Sequence, residues 1–158
     1  MLEQTLISAA LGLLVAAAWS DLSVRRIPNW TCGALAGVAA ARLLLAGDAV
    51  TAALAVTIAA AAFAPLALAF ALGRVGGGDV KLLTACVLLA GPAGTPTLLA
   101  ATALAGGAMA LVALMPAPKM ALDRLTRHRF AGAGLPYGVA IAAGAALSLL
   151  EQMPPTTA

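Results

Sequence analysis

The sequence predicts an all-α, polytopic membrane protein with about six transmembrane helices in one domain, residues 1–158. The chain is 63% hydrophobic and only 9% charged, whereas an ordinary soluble domain is about 45–50% apolar and about 25% charged. Nine basic and six acidic residues cannot cover the surface of a 15.5 kDa globule. Disordered chains are rich in charge, and two cysteines cannot staple a disulfide scaffold. The apolar run 54–64 lacks the alternation of a membrane β-barrel.

Charges and turn residues bound the predicted helices. A spanning helix needs about 20 apolar residues, and each of four uncharged runs predicts one: 4–20, 27–41, 49–73 and 130–150. The run 82–118 would be about 55 Å long as a single helix, which is too long for one crossing, and the Pro- and Gly-rich segment 91–96 divides it. The predicted helices are therefore 3–20, 30–47, 50–73, 79–91, 97–115 and 135–151.

Basic residues predict the orientation, because cytoplasmic loops carry an excess of Lys and Arg. With six helices, the loops after helices one, three and five share one side of the membrane. Eight of the nine cations lie there: Arg25, Arg26, Arg74, Lys81, Lys119, Arg124, Arg127 and Arg129. The other side has both termini and only Arg42. We therefore expect both termini outside the cytoplasm.

Two acidic residues stand apart from the rest. Four acids are predicted to be exposed to water, either at the outer ends of helices or in the basic segment 119–129: Glu3, Asp48, Asp123 and Glu151. Asp21 ends predicted helix one and Asp79 opens predicted helix four, both at the cytoplasmic side. An ionisable residue within a membrane costs about 2.5–3.5 kcal/mol on insertion scales and is a functional candidate by default.

Two carboxylates at one depth on neighbouring helices can form a catalytic dyad. Because close like charges cannot both ionise easily, the pair holds one proton. One carboxylate then activates water as a general base while the other polarises a scissile carbonyl as a general acid. Two alternatives stay open: Asp79 can serve as a first-turn acid of its helix, and Asp21 can pair with Arg25. The three glycines 76–78 permit positive φ and close backbone approach.

Three sequence motifs carry a resemblance to a known family. Residues 76–83 read GGGDVKLL, residues 20–29 read SDLSVRRIPN and residues 135–140 read LPYGVA. In this order they resemble the bacterial type IV prepilin peptidases, which are GxGD aspartyl proteases. The short chain is similar to the peptidases of tight-adherence (Flp) pilus systems.

The resemblance implies a function and a set of site residues. Asp21 and Asp79 would be catalytic, and six residues would bind substrate or support the site: Gly76, Gly77, Gly78, Lys81, Pro28 and Asn29. The protein would cleave leader peptides of prepilins or pilin-like proteins at the cytoplasmic face of the bacterial inner membrane, without a metal or another cofactor. Long family members that also N-methylate carry paired CxxC motifs. Here Cys32 and Cys86 are single, so we expect no methyltransferase domain or activity.

Other readings of the sequence remain open. A small transporter or ion-conducting protein could use the two Asp as a proton or cation site, and a non-catalytic assembly subunit would tolerate their replacement. Lys81 can be a snorkelling anchor, or it can tune Asp79 or hold an acidic substrate residue. The basic segment 119–129 could bind anionic lipid, but it lacks the interleaved aromatic residues of a nucleic-acid surface. The oligomeric state is not predicted.

Overall fold

The computed structural model describes residues 2–114 and 135–153, and the described chain is all-helical. It contains five helices: α1 (Leu2–Val24), α2 (Asn29–Ala46), α3 (Ala49–Ala71), α4 (Gly77–Leu114) and α5 (Tyr137–Glu151). The first four are long and apolar enough to cross a membrane, and α5 is a shorter apolar helix. The all-α prediction is confirmed for these residues. The basic segment 119–129 lies outside them.

Helix α1 continues one turn beyond its predicted end and includes Asp21. It ends where Arg25 adopts a left-handed conformation with φ +55°, and the Arg25 N–H donates to the Asp21 carbonyl over 3.2 Å. The Ser20 hydroxyl donates to the Arg26 carbonyl over 2.6 Å, which ties the connection to α2 back onto α1. Pro28 then precedes α2 in an extended conformation.

Helices α2 and α3 are separated by a two-residue connection. Gly47 closes α2 with φ +67°, and the Asp48 carboxylate caps α3 by accepting the Val50 N–H over 3.0 Å. The Thr51 hydroxyl also donates to Asp48. These donors, the hydroxyl foremost, hold the pKa of the exposed Asp48 carboxyl below its ordinary value. Asp48 therefore lies at a helix end, as its sequence position predicts, and it is the N-cap of α3.

Helix α4 is interrupted where the sequence predicted a break, although the break is shorter than predicted. Gly91 alone has non-helical angles, φ +66° and ψ −174°, in the left-handed region that glycine enters without a steric penalty. Pro92 follows at once, and a proline at the first position of a helix sacrifices no hydrogen bond. The prediction of a six-residue turn over 91–96 was wrong, because one glycine suffices.

The two arms of α4 fold back on each other at Gly91. A straight helix would separate residues 78 and 106 by about 42 Å. Instead, a Cβ at Gly78 would lie 3.2 Å from Ile27, and a Cβ at Gly106 would lie 3.2 Å from Tyr137. Ile27 also contacts Gly138, the neighbour of Tyr137. Residues 78 and 106 therefore lie at the same end of the bundle, and Gly91 lies at the opposite end.

Buried aliphatic residues join the helices along the length of the bundle. Five of the largest fully buried side chains come from α1, α2, both arms of α4 and α5: Leu14, Leu35, Leu82, Leu98 and Leu149. Helix α5 also approaches the second arm of α4 closely, since a Cβ at Gly144 would lie 2.7 Å from the Leu98 carbonyl oxygen. Small residues at such contacts are typical of helix packing in membranes.

A polar cluster closes the end of the bundle at Gly91, which we call the arginine end. The Arg42 guanidinium donates to the Leu89 carbonyl over 3.1 Å, to the Gln152 amide oxygen over 3.2 Å and to Glu3 over 3.3 Å. The Gln152 amide donates to the Ala90 carbonyl over 3.2 Å. Because a helix break leaves the preceding carbonyls without partners, Arg42 and Gln152 stabilise the reversal. Glu3 and Gln152 also bring the start of α1 and the end of α5 together.

Candidate active site

Asp21 lies at the opposite end, which we call the aspartate end, and its carboxylate caps a distant helix. The residue is only 7% exposed. Its Oδ2 atom accepts the Gly138 N–H over 2.9 Å. This donor belongs to the first turn of α5, whose own N-cap, Pro136, makes no side-chain cap. Asp21 therefore places a negative group against a helix N-terminus, where the helix dipole favours it.

Only glycine fits at position 138. A Cβ there would lie 2.8 Å from Asp21 Oδ2 and 2.9 Å from Ile27 Cδ1. Real Cβ atoms essentially never come within 3.0 Å of a non-bonded heavy atom. The absence of a side chain at Gly138 therefore allows the α5 backbone to reach the Asp21 carboxylate.

Asp79 lies in the first turn of α4 and is half-buried. Its carboxylate turns back toward Gly76, with Oδ2 2.9 Å from the Cβ position of that glycine. The alternative interpretation of Asp79 as a first-turn acid therefore describes its position in the helix. The Asp79 carboxylate also interacts electrostatically with Asp21. A position in the first turn of α4 is therefore compatible with a pairing of the two acids.

Ile27 joins the segments that contain the two aspartates. Its Cβ lies 3.2 Å from the Cβ position of Gly78, next to Asp79. Its Cδ1 lies 2.9 Å from the Cβ position of Gly138, which donates to Asp21. The three sequence motifs therefore meet around one side chain, although they are separated by up to 117 residues along the chain.

The glycines before Asp79 act through their small size. The described glycines with positive φ are Gly47, Gly73 and Gly91, so residues 76–78 do not use the positive φ that glycine permits. Gly77 instead packs against Phe70, 3.1 Å from its Cβ position, and Gly78 packs against Ile27. These contacts let the start of α4 lie close to the end of α3 and to the α1–α2 connection.

The remaining predicted site residues lie beside the aspartates. Lys81 Nζ donates to the Asn29 side-chain oxygen over 2.9 Å, and both residues are exposed. Pro28 is half-buried next to Asn29 and starts α2. The Arg25 guanidinium attracts Asp21 electrostatically, so the Arg25 alternative also describes part of the environment of Asp21.

Sequence reasoning missed two contributors to this arrangement. The sequence pattern at 135–140 does not indicate that Gly138 donates its backbone N–H to Asp21, and it does not indicate that Ile27 packs between Gly78 and Gly138. Gly138 and Ile27 both belong to sequence motifs of the family, and membership in a motif is the only sequence feature that marks them. As for metal ligands, no three His, Cys, Asp or Glu side chains cluster within residues 2–114 and 135–153.

Together, the fold and the site define a polytopic helical membrane protein with two carboxylates at one end of its bundle. The model of the type IV leader peptidase family matches residues 8–111, and the chain belongs to this family of proteases. The match includes Asp21 and Asp79 and ends before α5. No curated protein matches the chain significantly, and neither does any solved structure.

Proposed function

We propose that this chain is an aspartyl endopeptidase that removes the leader peptide of type IV prepilins or pilin-like proteins, with Asp21 and Asp79 as its catalytic pair. The observation that supports this most strongly is the meeting of the three motifs at Ile27, which brings the elements of both aspartates together. Family membership favours a peptidase over the transport and assembly-subunit alternatives.

The surroundings of the two acids differ, and this difference suggests their roles. Asp21 accepts the Gly138 backbone N–H and lies near the Arg25 guanidinium, both of which stabilise a negative charge. The Asp79 carboxylate lies beside the Gly76 backbone and is raised in energy by the nearby Asp21 charge. In the proposed mechanism, ionised Asp21 is the general base and Asp79 carries the shared proton.

Each proton in the proposed hydrolysis has a defined path. Asp21 takes a proton from water while the water oxygen attacks the scissile carbonyl carbon, and Asp79 donates its proton to the carbonyl oxygen. The tetrahedral intermediate then collapses as its hydroxyl returns a proton to Asp79. The C–N bond breaks, and the leaving amine receives the proton that Asp21 holds.

The topology of the bundle supports six crossings and a cytoplasmic site. The two arms of α4 each run from one end to the other, so together with α1, α2, α3 and α5 they make six. An even number of crossings requires the first and last helices to have their outer ends on the same side. Glu3 and Gln152 meet this requirement, because both accept hydrogen bonds from Arg42 at the arginine end. By the distribution of basic residues, the aspartate end faces the cytoplasm of a bacterial inner membrane and both termini lie outside.

A reconstituted cleavage assay tests this function. The purified chain in proteoliposomes receives a pilin-like substrate that contains a leader and its apolar helix, and products are identified by mass spectrometry. We expect one cut between the leader and the apolar helix, with cleavage lost in Asp21→Asn and in Asp79→Asn. The matched control is Asp48→Asn, the same change at an exposed acid on another helix end, and it should cleave normally.

The assay also separates this proposal from its alternatives. Cleavage by either site variant at the wild-type rate would contradict the catalytic pair. Proton or cation flux through the same proteoliposomes, lost in both variants without any cleavage by the wild type, would favour the transport alternative.

A further inference from the structure

A cleft of about 400 Å³ opens between α2, α3 and the first arm of α4. The α2 residues that line it recur at helical spacing along one face: Asn29, Cys32, Gly33 and Ala36. They extend over two turns, about 10 Å along the helix axis. A Cβ at Gly33 would meet nothing within 4 Å, so the cleft has free space next to this glycine.

Helix α4 contributes a matching stripe to the opposite wall. Its lining residues have the same spacing: Lys81, Thr84, Ala85 and Leu88. Phe63 of α3 lies along the third side. Two parallel stripes of mostly small or apolar residues form a groove of the kind that accepts a helix, with small residues allowing close approach of backbones in a membrane.

The two ends of this groove differ in polarity. Its polar end consists of Lys81 and Asn29, joined by a 2.9 Å hydrogen bond, and Lys81 lies in the turn that follows Asp79. Within residues 2–114 and 135–153, no carboxylate lies within ion-pair distance of Lys81. The groove then runs past Gly33 and Ala85 to Leu88, which is the apolar end. An occupant must therefore be polar beside the aspartates and apolar further away.

We infer that this groove, residues 29–36 of α2 with residues 81–88 of α4 and Phe63, binds the apolar helix that follows the cleavage site of the substrate. The inference rests on the proposed function, in which the substrate has a leader in front of its apolar helix. A substrate helix lying in the groove places the junction between leader and helix at Lys81, beside Asp79 and Asp21. The groove thus sets which peptide bond reaches the carboxylates and contributes affinity without taking part in the chemistry.

A leucine at position 33 provides a direct test. Gly33→Leu fills the groove from a position where the structure has room for the side chain. Gly12→Leu is the matched control, since Gly12 lies in α1, outside the groove, and its Cβ position also meets nothing within 4 Å. In proteoliposomes with the helix-containing substrate, we expect Gly33→Leu to raise KM at least tenfold with kcat within about twofold of the wild type. Gly12→Leu should match the wild type.

The outcomes of this kinetic test are distinct. An unchanged KM in Gly33→Leu, the result expected if the groove holds only a lipid chain, would overturn the inference while leaving the peptidase function intact. An equal rise of KM in Gly12→Leu would also overturn it. Asp79→Asn tests the peptidase function separately. This variant removes a proposed catalytic carboxylate but does not change the groove, so a loss of its cleavage says nothing against binding in the groove.

Disulfide cross-linking tests binding without turnover. In a chain with Cys32→Ala and Cys86→Ala, Ala36→Cys provides one thiol in the groove, and single cysteines are placed at successive positions of the substrate helix. We expect cross-links to recur every three to four positions, as one face of a bound helix requires. Equal cross-linking at all positions, no cross-linking, or cross-links only between two copies of the enzyme would refute the groove assignment.

Discussion

Gly138→Ala tests the link between α5 and Asp21. The added Cβ would lie 2.8 Å from Asp21 Oδ2, whereas ordinary contact begins at 3.4 Å, so the carboxylate or the helix must move by about 0.6 Å. The hydrogen bond between Gly138 N and Oδ2, now 2.9 Å, would lengthen to about 3.5 Å and be lost. A hydrogen bond to a charged group contributes about 1.5–3 kcal/mol, and a misplacement of about 1 Å can cost about a hundredfold in rate.

We therefore expect kcat for leader cleavage to fall about ten- to a hundredfold in Gly138→Ala, measured in proteoliposomes at saturating substrate. Gly12→Ala is the control, because nothing lies within 4 Å of that Cβ position. Adding Ile27→Val removes the Cδ1 contact at 2.9 Å but not the contact with the carboxylate, so it should restore little activity. A Gly138→Ala variant with the kcat of the wild type would refute the reasoning.

Three further predictions concern the frame of the bundle. Gly91→Ala must adopt φ +66° with ψ −174°, a combination confined essentially to glycine that costs about 1–3 kcal/mol, so we expect the Tm in detergent to fall by about 2–12 °C; an unchanged Tm would contradict the glycine-specific turn. Arg42→Ala removes the donor to the Leu89 carbonyl and should lower the free energy of unfolding by about 2–4 kcal/mol, with Arg42→Lys in between; equal stability of all three proteins would argue against the cluster. Because the folded-state pKa of Asp48 is depressed, its stabilising effect is present above pH of about 4 and is lost as pH falls through the lower folded value. The Tm difference between wild type and Asp48→Asn should therefore shrink from pH 6 to pH 3, and a constant difference would contradict the cap.

Most of the helical frame was predictable because charge and hydropathy bound each segment. The errors have physical causes. The sequence predicted that helix one ends at residues 20–21, because Asp21 is charged, yet the helix continues to Val24 and the Asp21 carboxylate accepts the distant Gly138 N–H of α5. The turn at 91–96 was predicted too long, because its prolines and glycines together suggested irregular backbone. The structure needs only Gly91 to reverse direction.

The two acids of the candidate site were predictable from the sequence, but the residues that position them were not. Asp21 and Asp79 stood out because few charges lie in the chain and the orientation put both at one side. Nothing local in the sequence indicates that Gly138 donates to a residue 117 positions away, or that Ile27 lies between two glycines. Such contacts depend on how the helices pack. A hydrophobic periodicity shows which face of a helix is buried, but it does not show which glycine allows two backbones to approach closely.

The most direct test of the catalytic pair is a double-mutant comparison. Cleavage rates are measured for the wild type, Asp21→Asn, Asp79→Asn and the double variant, with mass spectrometry to detect residual product. Residues that act as one unit have strongly non-additive effects. We predict that either single change abolishes nearly all cleavage and that the double variant is no worse than the singles. Independent, multiplying losses, or substantial cleavage by either single variant, would contradict the account.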